Sequence, residues 1–255
     1  MKGEQMAYQW HFHELGSKES QRESVSDTFF KSNAFESPLQ VIVREGIQNA
    51  LDAKEANTGK VKVRIYLSGS EGALSGETVK KYFDSGLPHW KSKENGLVPL
   101  LPGWDGACPF LVIEDFGTSG LTGDESVPHF KKRHEDDSNH FYHFFRAEGQ
   151  TDKDKGKRGS WGVGKHVFPM NSQVRAFLGY TIRKSPHHPE LLMGKTILKK
   201  VLTSDAPSMF ADSMSSKGNS LNAATSTNAK KGFTICGRMR ANSVFLICNV
   251  FVTKR

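Results

Sequence analysis

Between Ser37 and Ala53 the chain reads Ser-Pro-Leu-Gln-Val-Ile-Val-Arg-Glu-Gly-Ile-Gln-Asn-Ala-Leu-Asp-Ala. Wound at about 100° per residue, Glu45, Asn49 and Asp52 fall within an arc of about 60°, while Leu39, Val43, Ile47, Ala50 and Leu51 gather on the opposite side. The pattern predicts a helix whose apolar face lies on a core and whose other face turns two carboxylates and an amide toward a pocket. Ser37 stands at the N-cap, Pro38 has the fixed φ suited to the first helical position, and Gln40 completes a Ser-x-x-Gln capping box. Asn57-Thr58-Gly59 supplies a stop, which predicts a helix of about five turns.

A different period follows. Val61, Val63, Ile65 and Leu67 alternate with Lys62, Arg64 and Tyr66, the signature of a strand, and the run Pro109-Phe-Leu-Val-Ile113 predicts a short buried strand. Val174, Ala176, Leu178, Tyr180 and Ile182 alternate with mostly polar neighbours, and the apolar pattern returns from Leu191 to Leu202, which predicts a hairpin. The stretch 68–106, rich in Gly, Pro and Lys, reads as an insertion with a short helix near 77–84. Residues 1–36 read as a strap with scattered aromatics that docks on the domain or crosses to a second subunit. From 203 to 230 the composition turns to Ser, Asn, Ala and Thr, too polar to bury much, and predicts a flexible linker. The segment 231–255 is apolar around Val244 to Val252 and reads as a final strand, or as the cut end of a longer protein.

Composition narrows the class. At 255 residues the chain can bury one sizeable core, and no apolar run approaches the roughly 20 residues of a membrane span. The opening Met-Lys-Gly-Glu-Gln-Met is not a signal peptide, so a cytoplasmic location without membrane attachment is expected. Cys108, Cys236 and Cys248 show neither paired metal spacing nor a disulfide framework, and His129, His134, His140 and His143 lack a His-Glu-x-x-His pattern. The net charge of +8 permits an anionic or nucleic-acid partner, but the basic residues are spread along the chain without an aromatic-basic signature.

Two glycine-bearing segments carry the remaining chemistry. In Ile113-Glu-Asp-Phe-Gly-Thr-Ser-Gly120, Asp115 emerges at the end of a strand beside glycines that let a turn bend tightly, a place from which a carboxylate accepts a hydrogen bond from an amine. In Gly156-Lys-Arg-Gly-Ser-Trp-Gly-Val-Gly-Lys165, Gly159, Gly162 and Gly164 lead through Lys165 into Val167 and Phe168, a loop feeding a helix start and suited to phosphate. Taken singly, each segment also suits a solvated face, turn or loop. The second nearly matches the Gly-x-x-x-x-Gly-Lys-Ser/Thr phosphate loop, but His166 replaces the hydroxyl and no buried strand precedes it.

Glu-x-x-x-Asn-x-x-Asp-Ala at 45–53, Asp-x-Gly-x-x-Gly at 115–120 and Gly-x-x-Gly-x-Gly-Lys at 159–165, in that order, resemble the GHKL superfamily of ATPases: gyrase, ninety-kilodalton heat-shock chaperones, sensor histidine kinases and MutL. Phe144-Phe-Arg-Ala-Glu-Gly149 is similar to a phrase in uncharacterised bacterial members. The resemblance implies an α+β fold, a two-layer α/β sandwich (the Bergerat fold) with helices on one face of a mixed, mainly antiparallel sheet. It implies an ATP-binding domain over 37–202 with a lid at about 121–158. Glu45 would be the general base for the attacking water, Asn49 the ligand of Mg2+, Asp52 with Ala53 a support beside the nucleotide, and Asp115 the reader of adenine. Gly117 and Gly120 would form the turn near the base and ribose, and Gly159, Gly162, Gly164 and Lys165 would hold the phosphates.

One departure is the extra residue between Gly117 and Gly120, which makes that turn bulge. The family's late-strand threonine fits Thr196 or Thr234. An acidic residue at position 45, and the lack of a phosphoacceptor helix, favour hydrolysis over the kinase branch. The function implied is a Mg2+-dependent ATPase that acts as a switch, with ATP as ligand and a homodimer formed on ATP binding. The alternative is a nucleotide-gated module for a protein or nucleic-acid client, without significant turnover.

Overall fold

The computed structural model describes residues 8–14, 37–93, 95, 97, 106–125, 139–146, 164–183, 189–198, 201–203, 206–210 and 242–248. In chain order the elements are β1 (His13–Glu14), α1 (Pro38–Asp52), β2 (Lys62–Leu67), α2 (Gly76–Phe83), α3 (Leu87–Lys91), β3 (Phe110–Phe116), α4 (His140–Phe145), α5 (Val167–Met170), β4 (Ala176–Ile182), β5 (Glu190–Thr196), β6 (Val201–Thr203), β7 (Ala206–Phe210) and β8 (Ser243–Cys248). Five strands form the main sheet in the order β2-β3-β8-β4-β5, and a small second sheet runs β1-β7-β6. The class is α+β. The mixed sheet expected from the resemblance is antiparallel at every pairing among the described strands.

The start of α1 is as the sequence predicts: Ser37 Oγ accepts from the Gln40 N–H at 3.2 Å and Gln40 Oε1 accepts from the Ser37 N–H at 3.0 Å. Its end is earlier than Gly59. After Asp52 the Ala53 carbonyl accepts from the Ser119 N–H at 3.0 Å and the Glu55 N–H donates to the Gly117 carbonyl at 3.1 Å, so groups that would extend the helix are used across to another loop.

The roll of α1 also differs from the apolar face read from periodicity. Val41, Ile42 and Ala50 are buried, whereas Leu39, Ile47 and Leu51 are 46%, 39% and 53% exposed. Gly46 explains the choice: a Cβ built there would stand 3.2 Å from Ile113 Cδ1, so the missing side chain lets the helix lie close on β3. A smooth helical surface against a flat sheet gains more close contacts than a stripe of long side chains would at that distance.

The sheet is covered on both faces, which corrects the expectation of helices on one. Leu111 and Ile113 of β3 pack with Val41 and Ile42 of α1, Phe141 and Phe145 of α4, and Val167 and Phe168 of α5. The alternate residues Phe110 and Val112 pack with Val79, Tyr82 and Phe83 of α2, Trp90 of α3, and Trp10. The stretch expected as an insertion therefore supplies a core layer. Trp10 is buried, its Nε1 donating to the Tyr82 carbonyl at 2.7 Å, so the described part of the strap docks on this second layer. Phe29, Phe30 and Phe35 lie outside the described residues.

β4 and β5 form the expected hairpin. The segment expected as a final strand holds β8, which is not at an edge but in the centre, between β3 and β4. Of the predicted linker, Ala206–Phe210 is strand β7. Among the described residues no helix is long and apolar enough to cross a membrane.

Candidate functional site

The site begins where β3 ends. A row of paired residues, Val63, Asp115, Ser243 and Thr181, crosses four strands of the sheet, and paired residues in a ladder present their side chains on one face. Asp115 is buried and on the α1 side of β3. Its carboxyl accepts from the Thr118 hydroxyl, and Ser243 stands opposite it on β8, where its N–H and hydroxyl favour the ionised form. Burial pushes that carboxyl up to about 6, against the opposing effect of those groups.

The turn after Asp115 is held from three directions. Gly117 and Gly120 have φ of 78° and 68°, the left-handed region that glycine enters without strain. Asn242 Oδ1 accepts from the Gly117 N–H at 2.9 Å, and the Asn242 N–H donates to the Asp115 carbonyl at 2.8 Å. A Cβ on Gly120 would sit 2.4 Å from the Ile182 carbonyl oxygen, so this glycine seats the bulged turn against β4. The third hold is the pair of hydrogen bonds from Ala53 and Glu55, which fastens the C-terminal end of α1 to the same turn.

Along its length α1 packs against the 3-10 turn Gly164–His166 and against α5. The helix with Glu45 and Asn49 thus adjoins both the Asp115 turn, at its C-terminal end, and the Gly164–Lys165 end of the second glycine segment. Gly159 and Gly162 lie outside the described residues. Asn49 Nδ2 is buried and has no hydrogen-bond partner, which for an amide is a marked cost unless something is meant to meet it. Glu45 is partly buried, and its Oε1 accepts from Arg44 Nε and Nη2, each at 3.2 Å. Asp52 is exposed and accepts from Gln48 Nε2 at 2.8 Å, so it stands at the outer rim.

Lys165 is buried and its ammonium donates to the His143 carbonyl. That tie to α4 holds the charge at a fixed place rather than on a free stem. α4 belongs to the stretch read as a lid, yet Phe141 and Phe145 are core residues. At the start of the same stretch the Arg183 guanidinium, itself buried, pairs with Glu125 and donates to the Leu121 and Gly123 carbonyls. The segment 121–125 is therefore anchored to the end of β4.

Neither family models, curated proteins nor solved structures match this chain. The reading of the site rests on the residues themselves.

Of the two late threonines singled out by sequence, Thr196 stands opposite Ala176, at the far end of β4 from the Asp115 row, and donates to the Arg175 carbonyl at 3.1 Å. Thr234 lies outside the described residues. The hydroxyls on the Asp115 row are those of Ser243 and Thr181, and Thr181 Oγ1 accepts from the Leu121 N–H at 2.8 Å. Sequence reasoning missed them, with Asn242, because their meeting with Asp115 is made by strand pairing across 125 or more positions for the Asn242 contact and across similar distances for Ser243. The local signals were the alternating run around Thr181 and the apolar run that follows Ser243.

Among the described residues no group of three His, Cys, Asp or Glu side chains forms a metal cage. The donor set offered is one amide beside a glycine turn and a lysine. That set suits a hard cation carried in with a phosphate ligand, since Mg2+ takes few protein oxygens and retains water and phosphate oxygens.

Proposed function

We propose that this protein is a Mg2+-dependent ATPase of the GHKL kind that uses nucleotide binding and slow hydrolysis as a conformational switch. The observation that carries the reading is the buried side-chain nitrogen of partly buried Asn49, which has no hydrogen-bond partner, on a helix fastened at its end to the Asp115 turn and packed along its length on the Gly164–Lys165 turn. Asn49 would contribute its amide oxygen to Mg2+, whose bound charge would neutralise the triphosphate. Asp115, with Ser243 and Thr118 setting its orientation, accepts a hydrogen bond from an amino group of the base. Gly164 and Lys165 face the phosphate end, and Glu45 takes a proton from water.

A Glu45→Ala chain is expected to keep nucleotide affinity by calorimetry while phosphate release falls at least about 100-fold, the scale of a lost general base. Loss of binding and release together would show that Glu45 is not the base.

The Arg44 contact favours a second reading, a nucleotide-gated interaction module. A carboxylate oxygen that already accepts two N–H groups of a guanidinium has less lone-pair capacity left to receive a proton from water. Calorimetric binding of Mg2+ and ATP with no phosphate release above background selects this reading, and faster turnover in Arg44→Ala would return the case to hydrolysis.

A further inference from the structure

The large apolar side chains exposed among the described residues are Leu39, Ile47, Leu51, Ile65, Tyr66 and Leu67, and they lie on two elements only, α1 and β2. These elements are neighbours: Gly46 of α1 rests on Ile113 of β3, and Ile113 pairs with Ile65 of β2. β2 is an edge strand, and among the described residues no strand pairs with its outer side. The outer backbone N–H and C=O groups of such a strand form a ready template for another strand.

Proteins commonly guard an edge of this kind with charged side chains. Lys62 and Arg64 are exposed, but both lie on the face opposite α1. The Lys62 ammonium lies 5.5 Å and the Arg64 guanidinium 5.7 Å from the centre of the Phe116 ring on β3, and Arg64 pairs with buried Glu114, so both cations are drawn inward over the sheet. The face shared with α1 carries Val63, Ile65 and Leu67, with no charge in the row.

We propose that β2 pairs antiparallel with β2 of a second copy of this chain about a twofold axis through Ile65, joining two five-stranded sheets into one and bringing the exposed α1 stripes together over the seam. The register is self-complementary. It sets Ile65 against Ile65 of the second copy, Val63 against Leu67, Arg64 against Tyr66 and Lys62 against Ser68, so no like charges meet directly and the apolar residues share one face. A twofold through Arg64 would instead oppose two guanidinium groups, and one through Tyr66 would leave Lys62 and Val63 beyond the paired strand. Over the seam, helices lying on β3 of each copy are three strand spacings apart, about 14 Å. Two helices with side chains are each about 10–12 Å across, so Leu39, Ile47 and Leu51 from the two copies face one another above Ile65 across a gap of only about 2–4 Å. This surface is distinct from the nucleotide reading and does not depend on it.

The test uses the full chain without nucleotide. Sedimentation over a concentration series is expected to show a reversible dimer, and Ile65→Lys, which sets two ammonium groups on the twofold, is expected to weaken it at least 10-fold while the circular dichroism spectrum is unchanged. Directly opposed residues in an antiparallel pair have Cα atoms about 4.5–5.5 Å apart, within disulfide reach. Mild oxidation of Ile65→Cys should therefore cross-link the dimer far faster than the parent chain or Lys91→Cys, whose site is on the other face of the sheet. A chain that stays monomeric, a dimer indifferent to Ile65→Lys, or Ile65→Cys that links no faster than Lys91→Cys overturns self-pairing and leaves the edge to a strand from another protein.

Discussion

Asp115 shows how one side chain can hold a functional group ready at a cost to the fold. Its ordinary carboxyl value of 3.8 rises to about 6 through burial, so the folded state prefers the protonated form. The stability that this preference gives is present in full below about 4 and is lost as pH climbs through about 6; at about 1.4 kcal/mol per pH unit the ionised carboxylate then costs the ligand-free fold about 3 kcal/mol. Asp115→Asn is expected to raise the melting temperature at pH 7.5, with the gain shrinking toward zero as pH falls to about 4. Thermal melts of both chains across that range check it, and a gain that grows in acid would contradict the sign. The same substitution is expected to abolish adenine nucleotide binding under the proposed function, since an amide nitrogen turned toward the base would meet the amino group donor to donor. The aspartate was legible from the sequence because a polar residue follows an apolar run and precedes glycines. Ser243, Asn242 and Thr181, which orient it or pin its turn, were not, because nothing local in their segments distinguishes them from ordinary strand residues.

At the scale of the element, α1 was predicted by period and caps, and its N-terminal capping box is present as read. What period alone did not decide was which side lies on the sheet. Of the apolar stripe Leu39, Val43, Ile47, Ala50 and Leu51 read as the buried face, Ala50 is buried and Val43 packs on the core, yet Leu39, Ile47 and Leu51 are exposed and the helix rests on Ile42, Gly46 and Ala50, because close approach rewards small residues. Gly46→Val is therefore expected to destabilise the protein by about 2–3 kcal/mol, the usual range for overpacking, as its methyls are driven into Ile113. Gly46→Ala should be close to neutral, since the gain of up to about 1 kcal/mol in helix propensity offsets a few tenths of an ångström of displacement. Urea unfolding separates the two, and a Gly46→Val chain no less stable than the parent would place Gly46 away from the sheet. The premature end of α1 has a similar origin: hydrogen bonds to the Gly117 turn outcompete another helical turn, and these same bonds bring Asn49 and Asp115 into one neighbourhood.

For the whole molecule the decisive feature is the route of the chain. β8 follows the polar stretch 203–230 yet separates β3 from β4, so the halves of the sheet meet only through it. A chain ended at Leu202 is expected to lose its cooperative thermal transition and its near-ultraviolet dichroism, because two isolated two-stranded ribbons are marginal in water. A sharp transition in that shortened chain would show that β3 and β4 can pair directly. The alternation and the caps determined the identity of α1, β2, β3 and the β4–β5 hairpin, since helix and strand periods are local properties of the backbone and are written in adjacent residues. Only the tertiary structure decided the roll of α1, the central place of β8, the second helical layer formed by α2, α3 and Trp10, and the hydroxyl partners of Asp115. Each of these is set by competition among distant surfaces for the same buried area and the same backbone hydrogen bonds, and that competition leaves no periodic mark in the chain.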